Sequence, residues 1–157
     1  MVLAGKLITE LGIKTPGEKF FQLFATQLHE VQNVVERCHH TKLHEGEDWH
    51  HSDSVKHWTY VMDGKVHTCN EQVEEVDEQN KKITFKLFGG DIENYKVFKL
   101  ILEVLNKADG SSAVRWTIDY EKNNEEVETP NGWMDYLSKG TRDIDGHLVK
   151  GEKVDGL

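Results

Sequence analysis

The chain has 157 residues, of which 28 are acidic and 19 are basic, so its formal net charge at neutral pH is −9. A chain of this length forms one domain and buries about two-thirds of the surface that it exposes when unfolded, so its core needs no disulfides. Its longest basic clusters are pairs such as Lys81-Lys82. Nucleic-acid binding needs a continuous basic surface, so the composition argues against that class of function.

The sequence also points to a compartment. No apolar run approaches the ~20 residues of a membrane-spanning helix, and the first residues lack the apolar block of a signal peptide. Cys38 and Cys69 form no CxxC pattern, which suits free thiols in a reducing compartment. We therefore expect a cytoplasmic protein that does not insert into membranes.

The first predicted elements are a strand over residues 2–13 and two short helices. Thr15-Pro16 followed by Glu18 is typical of a helix start, with Thr15 as the cap and Pro16 in the first turn. A second, shorter amphipathic helix is predicted from His29 to Arg37. The first helix carries an apolar face of Phe20, Phe21, Leu23, Phe24 and Leu28.

From His39 to Lys122 the apolar period changes to two, and turn residues recur about every ten positions, which predicts an antiparallel meander. The clearest strand alternates apolar residues from Val114 to Tyr120 with polar ones, which indicates one buried and one solvated face. The predicted turns are Gly46 to Asp53, Asp63-Gly64, Glu78-Gln79-Asn80, Gly89-Gly90-Asp91 and Asp109-Gly110.

The turn at Asp63-Gly64 leaves two registers open. A two-residue turn opposes Tyr60 to His67, whereas a three-residue turn with a glycine bulge opposes Tyr60 to Val66. A slip of one residue exchanges the two faces of the strand. We choose the bulge because it buries Val66, and we then expect Cys69 to be a surface thiol.

A helix of about twenty residues is predicted to begin after Thr129-Pro130. It contains Gly140 and Gly146, each of which costs about 1 kcal/mol relative to alanine. Either this is local irregularity, or small residues leave room beneath the helix. Its apolar stripe is Trp133, Met134, Leu137, Thr141, Ile144 and Leu148.

These elements predict an α+β fold in which one long helix covers a curved, seven-stranded antiparallel sheet. A helix is about 10 to 12 Å across, too narrow to fill a wide concave sheet face. We therefore expect an internal cavity lined by aromatic and aliphatic residues, which suits an apolar small molecule.

The chain resembles the major latex proteins, a plant branch of the birch-pollen-allergen and pathogenesis-related class ten superfamily. The resemblance implies a helix-grip fold and a single domain over residues 1–150. Residues 151–157 show no apolar pattern, so we expect a flexible tail there. The resemblance is carried by the order and spacing of Leu43-His44-Glu45-Gly46, Ser54-Val55-Lys56, Trp58-Thr59-Tyr60, Asp63-Gly64-Lys65, Glu75-Val76-Asp77-Glu78, Gly90-Asp91, Tyr95-Lys96, Phe98-Lys99, Trp116-Thr117-Ile118, Tyr120-Glu121-Lys122, Asp143-Ile144-Asp145 and His147-Leu148.

The superfamily carries a glycine-rich loop that resembles a phosphate-binding loop, and here the chain departs from it. Between Gly46 and Asp53 only one glycine remains, together with three acidic residues. Phosphate binding needs close backbone approach and positive potential, so nucleotide binding is disfavoured.

The resemblance also implies that Lys56, Trp58, Tyr60 and Met62 point into the cavity. Lys56 and Tyr60 are then either ordinary core or rim residues or the polar groups that orient a ligand carboxylate or hydroxyl. The expected ligand-binding residues are Phe24, Lys56, Trp58, Tyr60, Phe85, Leu87, Phe98, Leu100, Trp116, Ile118, Trp133, Met134, Leu137, Gly140, Thr141 and Ile144.

We predict no metal site, no cofactor and no catalytic residue. The nine histidines have no compact ligand spacing, and the GxSxG turn of a serine hydrolase is absent. The acidic residues suit a solvated surface.

The function that we predict is a carrier for a hydrophobic or amphipathic small molecule, such as a sterol, a flavonoid or a hormone-like compound, in plant defence or stress response. The alternative is an isomerase or cyclase of specialised metabolism that uses acid and base groups in the same cavity. A third possibility is a stress-response protein with a protein partner. We expect a monomer or a weak dimer.

Overall fold

A computed structural model describes residues 3–26, 38–45, 55–62 and 64–149, with backbone only for residues 38–45. The predicted helix from His29 to Arg37, the loop from Gly46 to Asp53 and the tail at residues 151–157 lie outside the described residues. The elements in chain order are β1 (Ala4–Ile13), α1 (Gly17–Thr26), β2 (Cys38–Glu45), β3 (Val55–Met62), β4 (Lys65–Asp77), β5 (Lys82–Phe88), a 3-10 turn (Gly90–Ile92), β6 (Tyr95–Asn106), β7 (Ser112–Lys122) and α2 (Asn131–Val149).

The strands in the described ranges form one antiparallel, seven-stranded sheet in the order β1-β7-β6-β5-β4-β3-β2. β1 crosses to pair with the last strand, β7, so β1 and β2 are the two edges. Alternate residues of each inner strand are buried, as at Phe98, Leu100, Leu102 and Val104 of β6. The α+β helix-grip architecture predicted from the sequence is confirmed.

The predicted register after β3 is wrong. Met62 pairs with Lys65, Tyr60 with His67 and Trp58 with Cys69, so only two residues connect β3 to β4 and the bulge is absent. Gly64 has a φ of 74°. The two-residue turns that fit a hairpin need a positive φ, because only these turn types have a twist that matches the twist of the flanking strands.

The correction reverses the expected faces of β4. Val66 is 65% exposed, whereas only 2% of the surface of Cys69 is exposed. Burying one valine would therefore stabilise the hairpin less than the two-residue turn that Asp-Gly sequences favour.

Helix α1 begins one residue later than predicted. The Pro16 carbonyl accepts hydrogen bonds from the amides of Lys19 (3.0 Å) and Phe20 (3.3 Å), so Pro16 itself occupies the cap position. The Thr15 hydroxyl is not the cap. It donates to the Asp145 carboxylate of α2 instead, at 2.6 Å.

Helix α2 confirms the predicted long helix, and Asp145 fastens it to the start of α1. The Asp145 carboxylate is buried and also accepts hydrogen bonds from the amides of Lys14 and Thr15. These donors lie just after β1, so one carboxylate holds the second half of α2 to the junction of β1 and α1.

We predict that Asp145→Asn destabilises the fold by about 2–3 kcal/mol. The amide keeps one acceptor oxygen but loses the charge, and hydrogen bonds to charged groups are the stronger ones. Urea denaturation measures this loss. Asp135→Asn on the same helix is the control, since its exposed pair with Lys139 contributes less than about 0.5 kcal/mol. Equal small losses in both variants would contradict the role given to Asp145.

Candidate functional site

A cavity of about 80 Å³ lies between the inner face of the sheet and helix α2. It is several times larger than the ~10–15 Å³ that one water molecule needs, so it is more than a packing defect. Its described lining residues are Phe24, Trp58, Tyr60, Cys69, Glu71, Phe85, Leu87, Leu100, Trp116, Trp133, Tyr136, Leu137, Gly140, Thr141 and Ile144.

One end of the wall is built around Phe24, which α1 brings against the sheet. Its ring meets Trp116 of β7 edge-on at 5.7 Å and Phe85 of β5 at 6.3 Å, measured between ring centroids. Edge-to-face packing of this kind holds large rings in fixed orientations. These three side chains therefore form a rigid apolar surface.

A second aromatic group surrounds Tyr60. Its ring centroid lies 5.1 Å from that of Trp133 and 5.4 Å from that of Tyr136, both on α2. His67 stacks on Tyr60 at 5.6 Å with an interplanar angle of 15°. This contact joins the first turns of α2 to β3 and β4.

The middle of α2 lies over the cavity with small residues. Gly140 and Thr141 are buried and line it, and the Thr141 hydroxyl accepts a hydrogen bond of 2.8 Å from the Trp116 indole. This bond fixes the distance between α2 and β7. Because Gly140 has no side chain, the helix leaves space beneath it.

Two ionisable groups are buried at the β3–β4 side. Lys56 is fully buried and lies opposite Glu71 in the strand register. Burial raises the pKa of Glu71 to about 7, while Lys56 and the Trp58 indole oppose that rise. Glu71 lines the cavity, whereas Lys56 does not, so of these two groups the carboxyl is the one that faces a ligand.

Tyr60 is also perturbed. Burial, followed by the nearby Cys69 and Asp91, raises the pKa of its phenol well above the ordinary value. The hydroxyl therefore stays protonated, and no hydrogen bond joins it to any residue that the structure describes.

This fold and cavity can be compared with known proteins. Residues 2–151 match the sequence profile of the Pathogenesis-related protein Bet v 1 family. The chain belongs to the Bet v 1 family. The fold of this family binds hydrophobic ligands, which agrees with an apolar cavity beneath the long helix.

Within the Bet v 1 family the chain is similar to the major latex proteins. It is 37% identical to MLP-like protein 43 of Arabidopsis thaliana over 153 residues, which cover 96% of each chain. Major latex protein 146 of Papaver somniferum is 33% identical over 93% of this chain and 92% of its own. The crystal structure of ginseng major latex-like protein 151 from Panax ginseng has a TM-score of 0.86 at 39% identity, covering 92% of this chain and 97% of its own.

The Bet v 1 cavity gathers most of the residues singled out in the sequence. Twelve of them line it: Phe24, Trp58, Tyr60, Phe85, Leu87, Leu100, Trp116, Trp133, Leu137, Gly140, Thr141 and Ile144.

Four residues singled out in the sequence do not line the cavity. Lys56 and Ile118 are buried within the packed structure, Phe98 is covered by Trp133 at 5.3 Å, and Met134 is half-buried against the core. Each of the four belongs to the strand or helix stripe that the sequence predicted, but none of them is part of the cavity wall.

Three lining residues were not predicted from the sequence: Cys69, Glu71 and Tyr136. The first two follow from the two-residue turn, which was considered and not chosen. Tyr136 lies three residues after Trp133 and four before Gly140, a helical spacing that indicates a shared face.

Two of the histidines with described side chains make local contacts. His57 Nδ1 lies 3.0 Å from the Asn70 side-chain oxygen, and His67 stacks on Tyr60. Within the described residues, no three His, Cys, Asp or Glu side chains gather into a group that could hold a metal ion. Neither described helix has both the length and the apolar composition to cross a membrane.

The raised pKa of Glu71 predicts a pH dependence of stability. Below pH ~4.5 the Glu71 carboxyl is protonated in both the folded and the unfolded state, and above pH ~7 it is ionised in both. The free-energy cost of holding the buried charge in the folded state therefore grows between these two pH values and is constant above them. Over this interval the free energy of unfolding of the wild type should fall by on the order of 3 kcal/mol relative to that of Glu71→Gln.

Urea denaturation at a series of pH values measures the difference between wild type and Glu71→Gln. The control is Glu75→Gln, which removes an exposed carboxylate from the same strand and should leave the difference nearly constant with pH. A constant difference for Glu71→Gln as well would show that Glu71 titrates normally.

Proposed function

We propose that this Bet v 1 family member is a carrier or buffer that holds an apolar or amphipathic small molecule in the cavity. The observation that carries the proposal is an aromatic-lined space left open beneath Gly140 and Thr141 of α2. A core without a ligand would place larger side chains there, since protein interiors are close-packed.

The finer assignment is also a proposal. A sterol, a flavonoid or a hormone-like compound suits an apolar wall with few polar groups, and the protein would act in the cytoplasm in plant defence or stress response. We propose that it works as a monomer or weak dimer.

The decisive experiment uses Gly140→Leu and a neutral fluorescent probe, N-phenyl-1-naphthylamine. The added side chain should fill the cavity and abolish probe binding, while stability stays unchanged or rises by up to about 1 kcal/mol from helix propensity. Probe fluorescence and urea denaturation give the two readouts. If the region were already filled, the insertion would cost about 1 to 3 kcal/mol.

Gly146→Leu is the matched control on the same helix. A Cβ there meets nothing within 4 Å, and Gly146 is outside the cavity lining. This variant should gain the same helix propensity and keep wild-type probe binding. Negligible probe binding by the wild type, together with destabilised Gly140→Leu, would refute the carrier function.

A second function, an isomerase or cyclase, is favoured by one observation. Glu71 lines the cavity, and its pKa of about 7 suits a general acid or base near neutral pH. Tyr60 is a poorer base because its pKa is raised, and Lys56 is outside the lining.

One measurement distinguishes a carrier from an isomerase or cyclase. The purified protein is incubated with a plant metabolite extract, and retained and altered compounds are identified by mass spectrometry. A carrier retains compounds unchanged. An enzyme converts a compound, and Glu71→Gln then abolishes the conversion while probe binding remains.

A further inference from the structure

Among the residues that the structure describes, three polar atoms of the cavity lining have no hydrogen-bond partner: Trp58 Nε1, the Tyr60 hydroxyl and Glu71 Oε1. The Trp58 indole nevertheless lies close enough to the Glu71 carboxyl to lower its pKa. Buried polar atoms are nearly always paired, so unpaired ones call for an explanation. The Thr141 hydroxyl also lines the cavity, but it already accepts a hydrogen bond from the Trp116 indole. Unpaired groups at the wall of a cavity are suited to a ligand's polar end.

Two of these groups lie next to each other. Glu71 of β4 is opposite Lys56, and Cys69 is opposite Trp58, so Trp58 and Glu71 are diagonal neighbours on the inner face, within reach for long side chains. Each is more than nine-tenths buried. The indole N–H can only donate a hydrogen bond, and an ionised carboxylate can only accept one.

Charge restricts what this corner of the cavity accepts. Glu71 supplies a negative group in the wall, and the fully buried Lys56 lies directly opposite it in the strand register. A ligand anion would lie against the Glu71 carboxylate. A ligand cation would have to share that carboxylate with the Lys56 ammonium group, which lies opposite it although outside the cavity lining. Unscreened repulsion of either kind is costly away from water.

We propose that the cavity selects an uncharged, apolar ligand whose polar end is a hydroxyl group, held between the Trp58 indole N–H and the Glu71 carboxyl. This specificity rests on the proposed carrier function. A hydroxyl accepts one hydrogen bond and donates another, so it satisfies both groups at once. A carboxylate cannot donate to Glu71, and an ammonium group cannot accept from Trp58.

The test compares four compounds with one ring system: 2-naphthalenemethanol, 2-methylnaphthalene, 2-naphthoic acid and 2-naphthylmethylamine. Each displaces N-phenyl-1-naphthylamine from the wild-type protein at about pH 8, where the acid is ionised and the amine is largely protonated. The alcohol should bind roughly tenfold tighter than the methyl compound, because it pairs buried groups that are otherwise unpaired. Both charged compounds should bind more weakly than the methyl compound.

Variants assign the preference to the two residues. Trp58→Phe keeps an aromatic ring but removes the N–H, and should erase most of the alcohol's advantage over 2-methylnaphthalene. Glu71→Gln removes the negative charge, and should bring the acid at least several-fold closer to the alcohol. Glu75→Gln, an exposed change on the same strand, should leave the ranking unchanged, and circular dichroism checks that each variant is folded.

The outcomes test the hydroxyl specificity separately from the carrier function on which it rests. If neither the probe nor any of the four compounds binds, the carrier function itself falls. If the methyl compound binds as tightly as the alcohol, or if a charged compound binds tightest, the hydroxyl specificity is refuted and the carrier function stands. The wild-type ranking decides this even if a variant does not fold.

Discussion

A single helix covers a sheet much wider than itself, and the cavity follows from this mismatch. Seven strands spaced about 4.8 Å apart span about 29 Å, whereas a helix with its side chains is about 10 to 12 Å across. Helix α2 is the long element over the inner face, and α1 adds Phe24 on one side. No choice of side chains on α2 alone fills that width, so space remains between helix and sheet.

The space persists because α2 is held at separate points along its length. Trp133 packs on Tyr60 near its start, Thr141 bonds to Trp116 at its middle, and Asp145 binds the amides of Lys14 and Thr15 further on. Each contact sets a distance between helix and sheet. Collapse of α2 into the cavity would break buried hydrogen bonds, which costs more than the apolar burial that a small shift provides.

The fold by itself does not separate a carrier from an enzyme, because the same scaffold can host both. The residue on which the distinction turns is Glu71. Its buried carboxyl lowers stability when ionised, and such a cost is typical of a group kept for its chemistry rather than for packing. In a carrier it selects the ligand's polar end, and in an enzyme it moves a proton.

Where the apolar period is strong, the sequence by itself determined the element and the face that it buries. Alternation at Val114 to Tyr120 and the stripe from Trp133 to Ile144 report local periods of two and 3.6 residues, and these periods depend only on backbone geometry. They also placed Gly140 and Thr141 over the sheet. An apolar period does not show which residues of a buried face line a cavity and which are covered by other side chains. Phe98 and Ile118 were therefore expected at the cavity, but neighbouring residues cover both.

Only the tertiary structure decided the pairings that depend on distant residues. The register of β4, which brings Cys69 and Glu71 inward, is set by a two-residue turn, and a slip of one residue would reverse both. The partner of the Thr15 hydroxyl lies 130 residues away in α2. A local pattern contains no information about such a contact, because it exists only once the sheet and the last helix have packed together.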